Sequence, residues 1–245
     1  MGNAPSASAA AEAAAFEPER VRLCILGDQQ VGKSCIFTRA ITNSYEAEYR
    51  PNHTVTMGVK GMQLPDDLEF FWCEMWDVPA SGPARLVEDA LKGCDGVLLV
   101  LDCNDPDSLG SLERWLKLLG PARKFPTMVV ANKIDMVSNS GVTVKRHFRR
   151  AMDVLRAAAN DHGCHSFAQV SALDGQNLLK STRTFAASAL RHRRDRALKT
   201  KLSSGNGFLP RPDGNGNGAG GAGGAGGAGG AGGESKGDDT SIKVK

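Results

Sequence analysis

The chain has 245 residues, 41% of them apolar and 23% charged, which excludes a disulfide-stapled peptide and suits one ordinary domain with tails. Lys and Arg number 30 against 27 Asp and Glu, a net charge of +3, too weak a bias to argue for nucleic acid, and no nucleic-acid partner is expected. No run approaches the roughly 18 apolar residues of a membrane span, residues 1–15 lack a secretory signal, and six dispersed cysteines without a CxxC pair read as reduced thiols in a cytoplasmic protein.

Residues 1–19 are rich in Ala, Ser and Pro and are expected to form a flexible arm, with a short Ala-rich helix as the alternative. From Arg20 the alternation of Val21, Leu23 and Ile25 into Gly27 predicts a strand and a turn. A helix is expected over 33–43. A strand pair should follow at 57–63 and 68–77, turned by Pro65-Asp66-Asp67. Next come a helix (83–93), a strand (95–102), a helix (107–119), a strand (127–132), a helix (143–162), a strand (166–171) and a helix (175–199). The continuous apolar runs Gly96–Leu101 and Thr127–Ala131 are those of parallel strands covered on both faces. The pattern predicts an α/β fold, a doubly wound, mainly parallel six-stranded sheet with helices on both faces over residues 20–200. Polar residues at the carboxyl ends of the strands mark the edge that holds a ligand. A basic run, Arg191 to Lys201, closes the last helix. Residues 201–245 carry a GAGG repeat and a charged end, and are expected to be a disordered tail.

Gly27-Asp28-Gln29-Gln30-Val31-Gly32-Lys33-Ser34 matches GxxxxGK[ST] between a strand and a helix, with Cys35 next in that helix. In such a loop, successive backbone N–H groups and the helix N-terminus cradle phosphate oxygens. Lys33 would reach the β- and γ-phosphates, and Ser34 would place its hydroxyl on Mg²⁺. Asn132-Lys133-Ile134-Asp135 ends the strand 127–132 on the same edge. Asp135 there can accept two hydrogen bonds from the guanine N1–H and amino group, a donor pair that adenine lacks. Ser171-Ala172-Leu173 supplies a third loop whose backbone N–H can meet the guanine oxygen.

These motifs, in this order, make residues 20–198 resemble the Ras superfamily of small GTPases, in its Rab and Rab-like branch. The shared segments are Gly27–Ser34, Thr56-Met57-Gly58-Val59, Trp76-Asp77, Asn132–Asp135 and Ser171-Ala172. The resemblance implies a P-loop G domain that binds GTP and GDP with Mg²⁺, switches between two states, and meets effectors, an exchange factor and a GTPase-activating protein. It further implies that Thr56 contacts Mg²⁺ and the γ-phosphate, with Thr54 as the alternative register. Asp77 would hold Mg²⁺ through water, and Tyr45 would stand against the guanine edge. The chain departs from the family's DxxGQ at Asp77-Val78-Pro79-Ala80-Ser81. Ala80 replaces the glycine whose N–H meets the γ-phosphate. Ser81 stands where a glutamine orients the attacking water, so the catalytic set implied is Lys33, Thr56 and Ser81. Leu173 replaces a lysine. Slow unaided GTP hydrolysis is therefore expected, and a nucleotide-bound interaction module with little turnover (a pseudo-GTPase) is the alternative. A P-loop ATPase or kinase is a third reading, opposed by Asn132–Asp135.

Met1-Gly2-Asn3-Ala4-Pro5-Ser6 fits M-G-x-x-x-[ST], so Gly2 is a candidate for N-myristoylation. No cysteine follows Cys164, and the C-terminal prenylation usual among Rab proteins is not expected. A single myristoyl chain needs a second signal, for which the basic run 191–201 is the candidate, on the cytosolic face of a membrane.

Overall fold

The computed structural model describes residues 18–46, 48, 53–66, 69–120, 124–138 and 140–204. They lie within the first of two compact units, Met1–Gly205. Most of the N-terminal arm with its Gly2 motif, and the Gly/Ala-rich tail, lie outside the described residues.

Six strands form one sheet: β1 (Arg20–Gly27), β2 (Thr56–Gln63), β3 (Phe70–Asp77), β4 (Gly96–Asp102), β5 (Thr127–Asn132) and β6 (Ser166–Gln169). Their order is β2-β3-β1-β4-β5-β6. Among the described residues only the β2–β3 pair is antiparallel. The helices are α1 (Lys33–Thr42), α2 (Ala84–Leu91), α3 (Ser108–Leu119), α4 (Asp135–Ser138), α5 (Val142–Asp161) and α6 (Leu178–Ser204). The expected doubly wound α/β architecture is what the chain adopts.

Burial follows the sequence pattern. Residues Gly96–Leu101 of β4 and all of β5 are buried, as the continuous apolar runs require. In β3, Phe71, Cys73, Met75 and Asp77 are buried while Phe70, Trp72, Glu74 and Trp76 are half-exposed, the alternation of a strand with unequal faces. One core lies between the sheet and the helices α1 and α6, around Ile36, Phe71 and Phe185. The other lies beneath α2, α3 and α5, around Leu99, Leu112, Trp115 and Met152. The connection from β1 goes to one side of the sheet and the later strands go to the other. The crevice at the carboxyl end of β1 is therefore the switch point at which such sheets bind ligands.

Three features differ from the sequence pattern. The single turn α4 was not expected, because four residues carry no readable period. Strand β6 stops at Gln169 rather than 171, and α6 starts at Leu178, because Val170 to Asn177 form the third loop. Its turn places Gly175 and Asn177 at positive φ, +82° and +59°. The four arginines in the basic run of α6 are paired within the domain. Arg191 pairs with Asp66 at 3.0 Å, Arg193 and Arg194 both pair with Glu19, Arg194 also pairs with Glu69, and Arg196 donates to the Lys124 carbonyl at 2.7 Å. Burial raises the Glu19 carboxyl, but the two guanidiniums outweigh it and hold Glu19 below its ordinary value. Four guanidiniums of the run thus bind α6 to the sheet and its loops.

Candidate functional site

The phosphate loop leaves β1 at Gly27 and enters α1 at Lys33. Its path needs glycine where the backbone is closest to its neighbours. At Gly32, with φ of +95°, a Cβ would lie 2.3 Å from the Asn132 side-chain nitrogen. Gln30 also takes positive φ, +61°, a strained conformation for a residue with a Cβ. No side chain caps the start of α1, so its first-turn amides are available to an anion. Lys33 is only 7% exposed, and its Nζ donates to the Asp28 carbonyl at 2.6 Å, which curls the loop around the ammonium. Burial lowers the Lys33 pKa, while Asp77 and Asp28 act in the opposite sense.

Beside it the Ser34 hydroxyl donates to Asp77 Oδ2 at 2.6 Å, joining the start of α1 to the end of β3. Thr56 opens β2 directly opposite Asp77 in the hairpin register. A serine hydroxyl, a carboxylate and a threonine are hard oxygen donors of the kind Mg²⁺ takes. Among the described residues no group of three His, Cys, Asp or Glu could hold a metal by itself. A cation at Ser34 and Asp77 would therefore complete its shell with water and phosphate oxygens, as Mg²⁺ ordinarily does.

Lys33, Ser34 and Asp77 line a cavity of about 430 Å³. Gln29, Gln30, Gly32, Lys33, Ser34 and Cys35 form its floor, and Tyr45, Glu46, Glu48 and Lys133 form its sides. Pro79, Ala80 and Ser81 belong to the same lining. Ala80 is not among the residues with positive φ, so this loop follows an ordinary backbone path. Thr56 is exposed and lies outside the lining, across from Asp77, while Tyr45 is part of it.

The Asn132–Asp135 and Ser171–Leu173 loops converge on the same edge, where Lys133 lines the cavity while Asp135, Ser171, Ala172 and Leu173 lie outside its lining. The Asn132 side chain joins the phosphate loop to the third loop: Nδ2 donates to the Val31 carbonyl at 2.9 Å and Oδ1 accepts from the Ala172 amide at 3.1 Å. Ser171 Oγ donates to Asp135 Oδ1 at 2.6 Å, which fixes the carboxylate. Lys133, at φ of +68°, pairs with Asp102 at 2.8 Å. Leu173 is exposed, and its carbonyl accepts from Arg39.

Two features were not legible as parts of the site. Arg39 of α1 donates through Nε to the Ala172 carbonyl at 3.0 Å and lies 5.9 Å from the Tyr45 ring centre, so one side chain braces the third loop and the aromatic. Asp28 belongs to the loop through its backbone, but its carboxylate turns to α3. It accepts from Ser111 at 2.6 Å, Arg114 at 2.7 Å and Trp115 Nε1 at 3.0 Å. Burial raises this carboxyl, but the three donors and the Arg114 charge together hold it below the ordinary range.

The sequence matches the family model described as Ras family over residues 22–191. It is similar to the Ras-related protein RabY of Dictyostelium discoideum, 29% identical over 123 residues, covering 48% of this chain and 51% of that protein. It is also similar to the Ras-related protein RIC1 of Oryza sativa subsp. japonica, 26% identical over 168 residues (67% of this chain, 78% of that protein). The Ras-related protein Rab7 of Pisum sativum is 26% identical over 203 residues, 79% of this chain and 95% of that protein. The chain thus spans about half of RabY and more than three quarters of the other two. With the phosphate loop, the Asn132–Asp135 loop and Asp77 gathered at the switch point of this sheet, the chain belongs to the Ras family, in its Rab-like branch.

Proposed function

We propose that the chain binds GTP and GDP with Mg²⁺ at this cavity and acts as a switch in membrane traffic or signalling, with slow unaided hydrolysis of GTP. The observation that carries the reading is the convergence of Lys33, Ser34 and Asp77 with the Asn132–Asp135 loop on one sheet edge. Mg²⁺, when bound, would supply positive charge to the phosphate oxygens. The chain's own groups do the rest: the α1 amides and Lys33 hold the phosphates, Asp135 accepts from the base, and Asn132 keeps the two loops in register. Ser34, Thr56 and Asp77 are the cation set, and Tyr45 and the Ser171–Leu173 loop flank the base.

Slow hydrolysis follows from Pro79, Ala80 and Ser81. Pro79 offers no N–H, Ala80 lacks glycine's freedom, and the Ser81 side chain is too short to orient a water as glutamine does. The same three residues favour the second reading, a nucleotide-bound interaction module without turnover. Effectors and regulators would read the segments around Thr56 and Ala80. The wider organisation is a G domain over 20–200, between an arm with Gly2 as a myristoylation candidate and a Gly/Ala tail. Attachment to the cytosolic face of a membrane would then depend mainly on the acyl chain, because Arg191, Arg193, Arg194 and Arg196 have partners within the domain.

Chromatography of nucleotide released from the denatured, purified chain tests the binding reading. Bound GDP or GTP is expected, and a chain that neither carries nor takes up either one would end it. Single-turnover hydrolysis separates the two readings. A rate below about 10⁻⁴ s⁻¹ is expected for the switch, no turnover at all supports the module, and a faster rate contradicts both.

A further inference from the structure

A phosphate loop needs only glycines, a lysine and a helix start to meet its ligand, so a carboxylate within it calls for a separate explanation. Asp28 follows Gly27 directly, and its carboxylate has no role inside the cavity: the lining includes Gln29 and Gln30 but not Asp28. Instead it collects donors from three residues of α3, one of them the indole of Trp115, which is itself part of the core beneath the sheet. Arg114 donates to both carboxylate oxygens at 2.7 Å. The backbone carbonyl of the same residue accepts from Lys33 Nζ. One residue therefore ties a rigid helix to the ammonium group at the heart of the cavity.

The consequence for the loop is positional. Gln30 is held at positive φ, a conformation a free loop would leave. Hydrogen bonds to a charged acceptor are about twice as strong as neutral ones, and here they act one residue before the Gln29-Gln30 step. Releasing them lets the loop relax, moves the Asp28 carbonyl, and frees Lys33 Nζ to turn from its bound direction.

We infer that Asp28 is a positioning residue, whose carboxylate fastens the phosphate loop to Ser111, Arg114 and Trp115 of α3 and thereby sets how long the chain retains a guanine nucleotide. This rests on the nucleotide reading given above. A purely structural role would weaken the empty protein and the loaded protein alike. A positioning role acts on nucleotide release and leaves the empty protein nearly as stable as before.

The test is the release rate of fluorescently labelled GDP from the full chain with Mg²⁺, alongside the melting temperature of the nucleotide-free chain. Asp28→Asn is expected to speed release tenfold or more. Arg114→Ala, at a side chain 65% exposed and tolerant of truncation, is expected to speed it about threefold. Lys117→Ala on the outer face of α3 is expected to change nothing. Melting of the empty chain should move by no more than about 2 °C in each case. If Asp28→Asn does not fold, Arg114→Ala decides alone. Release at the wild-type rate from every variant that folds overturns the inference, as does equal acceleration by Lys117→Ala, which would assign the effect to α3 as a whole. A large fall in the melting temperature of the empty chain without faster release also overturns it. A wild-type chain that takes up no labelled GDP overturns the nucleotide reading first and this inference with it, a result visible before any variant is compared.

Discussion

The two walls of the cavity were built to different specifications. On one side stand the phosphate loop and Lys133 of the Asn132–Asp135 loop, the groups proposed to hold a guanine nucleotide, cross-braced by Asn132, Ser171 and Arg39. On the other side, Pro79, Ala80 and Ser81 lack the glycine amide and the glutamine that act on the terminal phosphate. In the proposed reading, holding a nucleotide and cleaving it rest on separate segments, so the second could be lost while the first stays intact.

Removing Lys33 should break this comparison with the largest effect. Lys33→Ala deletes the buried ammonium and is expected to weaken GDP binding a hundredfold or more, about 3 kcal/mol, by calorimetric titration. Asp135→Ala should reduce the preference for GDP over ADP at least tenfold in competition, because the base then loses its paired acceptor. The opposite wall can be repaired. The double variant Ala80→Gly, Ser81→Gln is expected to raise single-turnover hydrolysis about tenfold while leaving GDP affinity within about twofold, and an unchanged rate would place the defect in Pro79 or in the path of the whole loop. Gln30→Gly removes a left-handed conformation from a residue with a Cβ. It should stabilise the chain by about 1 kcal/mol in denaturant unfolding if the strain is not offset elsewhere.

The smallest effect is electrostatic. The Asp28 pKa lies below its unfolded value, so its contribution to stability is fully present above about pH 4 and is lost as the pH falls through the folded pKa. The groups facing it are Ser111, Arg114 and Trp115, with Lys33 on its carbonyl. Between pH 5 and pH 3 the wild-type chain should lose more stability than Asp28→Asn, and parallel losses would show that the carboxylate contributes nothing.

What could be read ahead of the structure was what is local. The strand–loop–helix at Gly27–Ser34 and the strand end at Asn132–Asp135 carry their chemistry within eight and four residues, and the structure brings both to one edge. The parallel sheet was legible because β4 and β5 are continuous apolar runs. The turn α4 was too short to show a period. The role of the Asp28 side chain was hidden because its partners lie 83 to 87 positions further on, and membership of the motif pointed to the phosphates instead. The pairing of the arginines in the basic run 191–201 was hidden for the same reason: their carboxylates stand at 19, 66, 69 and 95, far back in the sequence.

That last arrangement has a mechanical consequence. Glu19, at the entry to β1, and Glu69, at the entry to β3, grip the same guanidinium, Arg194, late in α6. A pull on the two ends of the domain would load this clasp together with the bond from the Trp72 amide to the Glu19 carbonyl. Stretching the molecule from its ends should therefore peel α6 away as a first, separate event, with the nucleotide cavity on the opposite edge still closed.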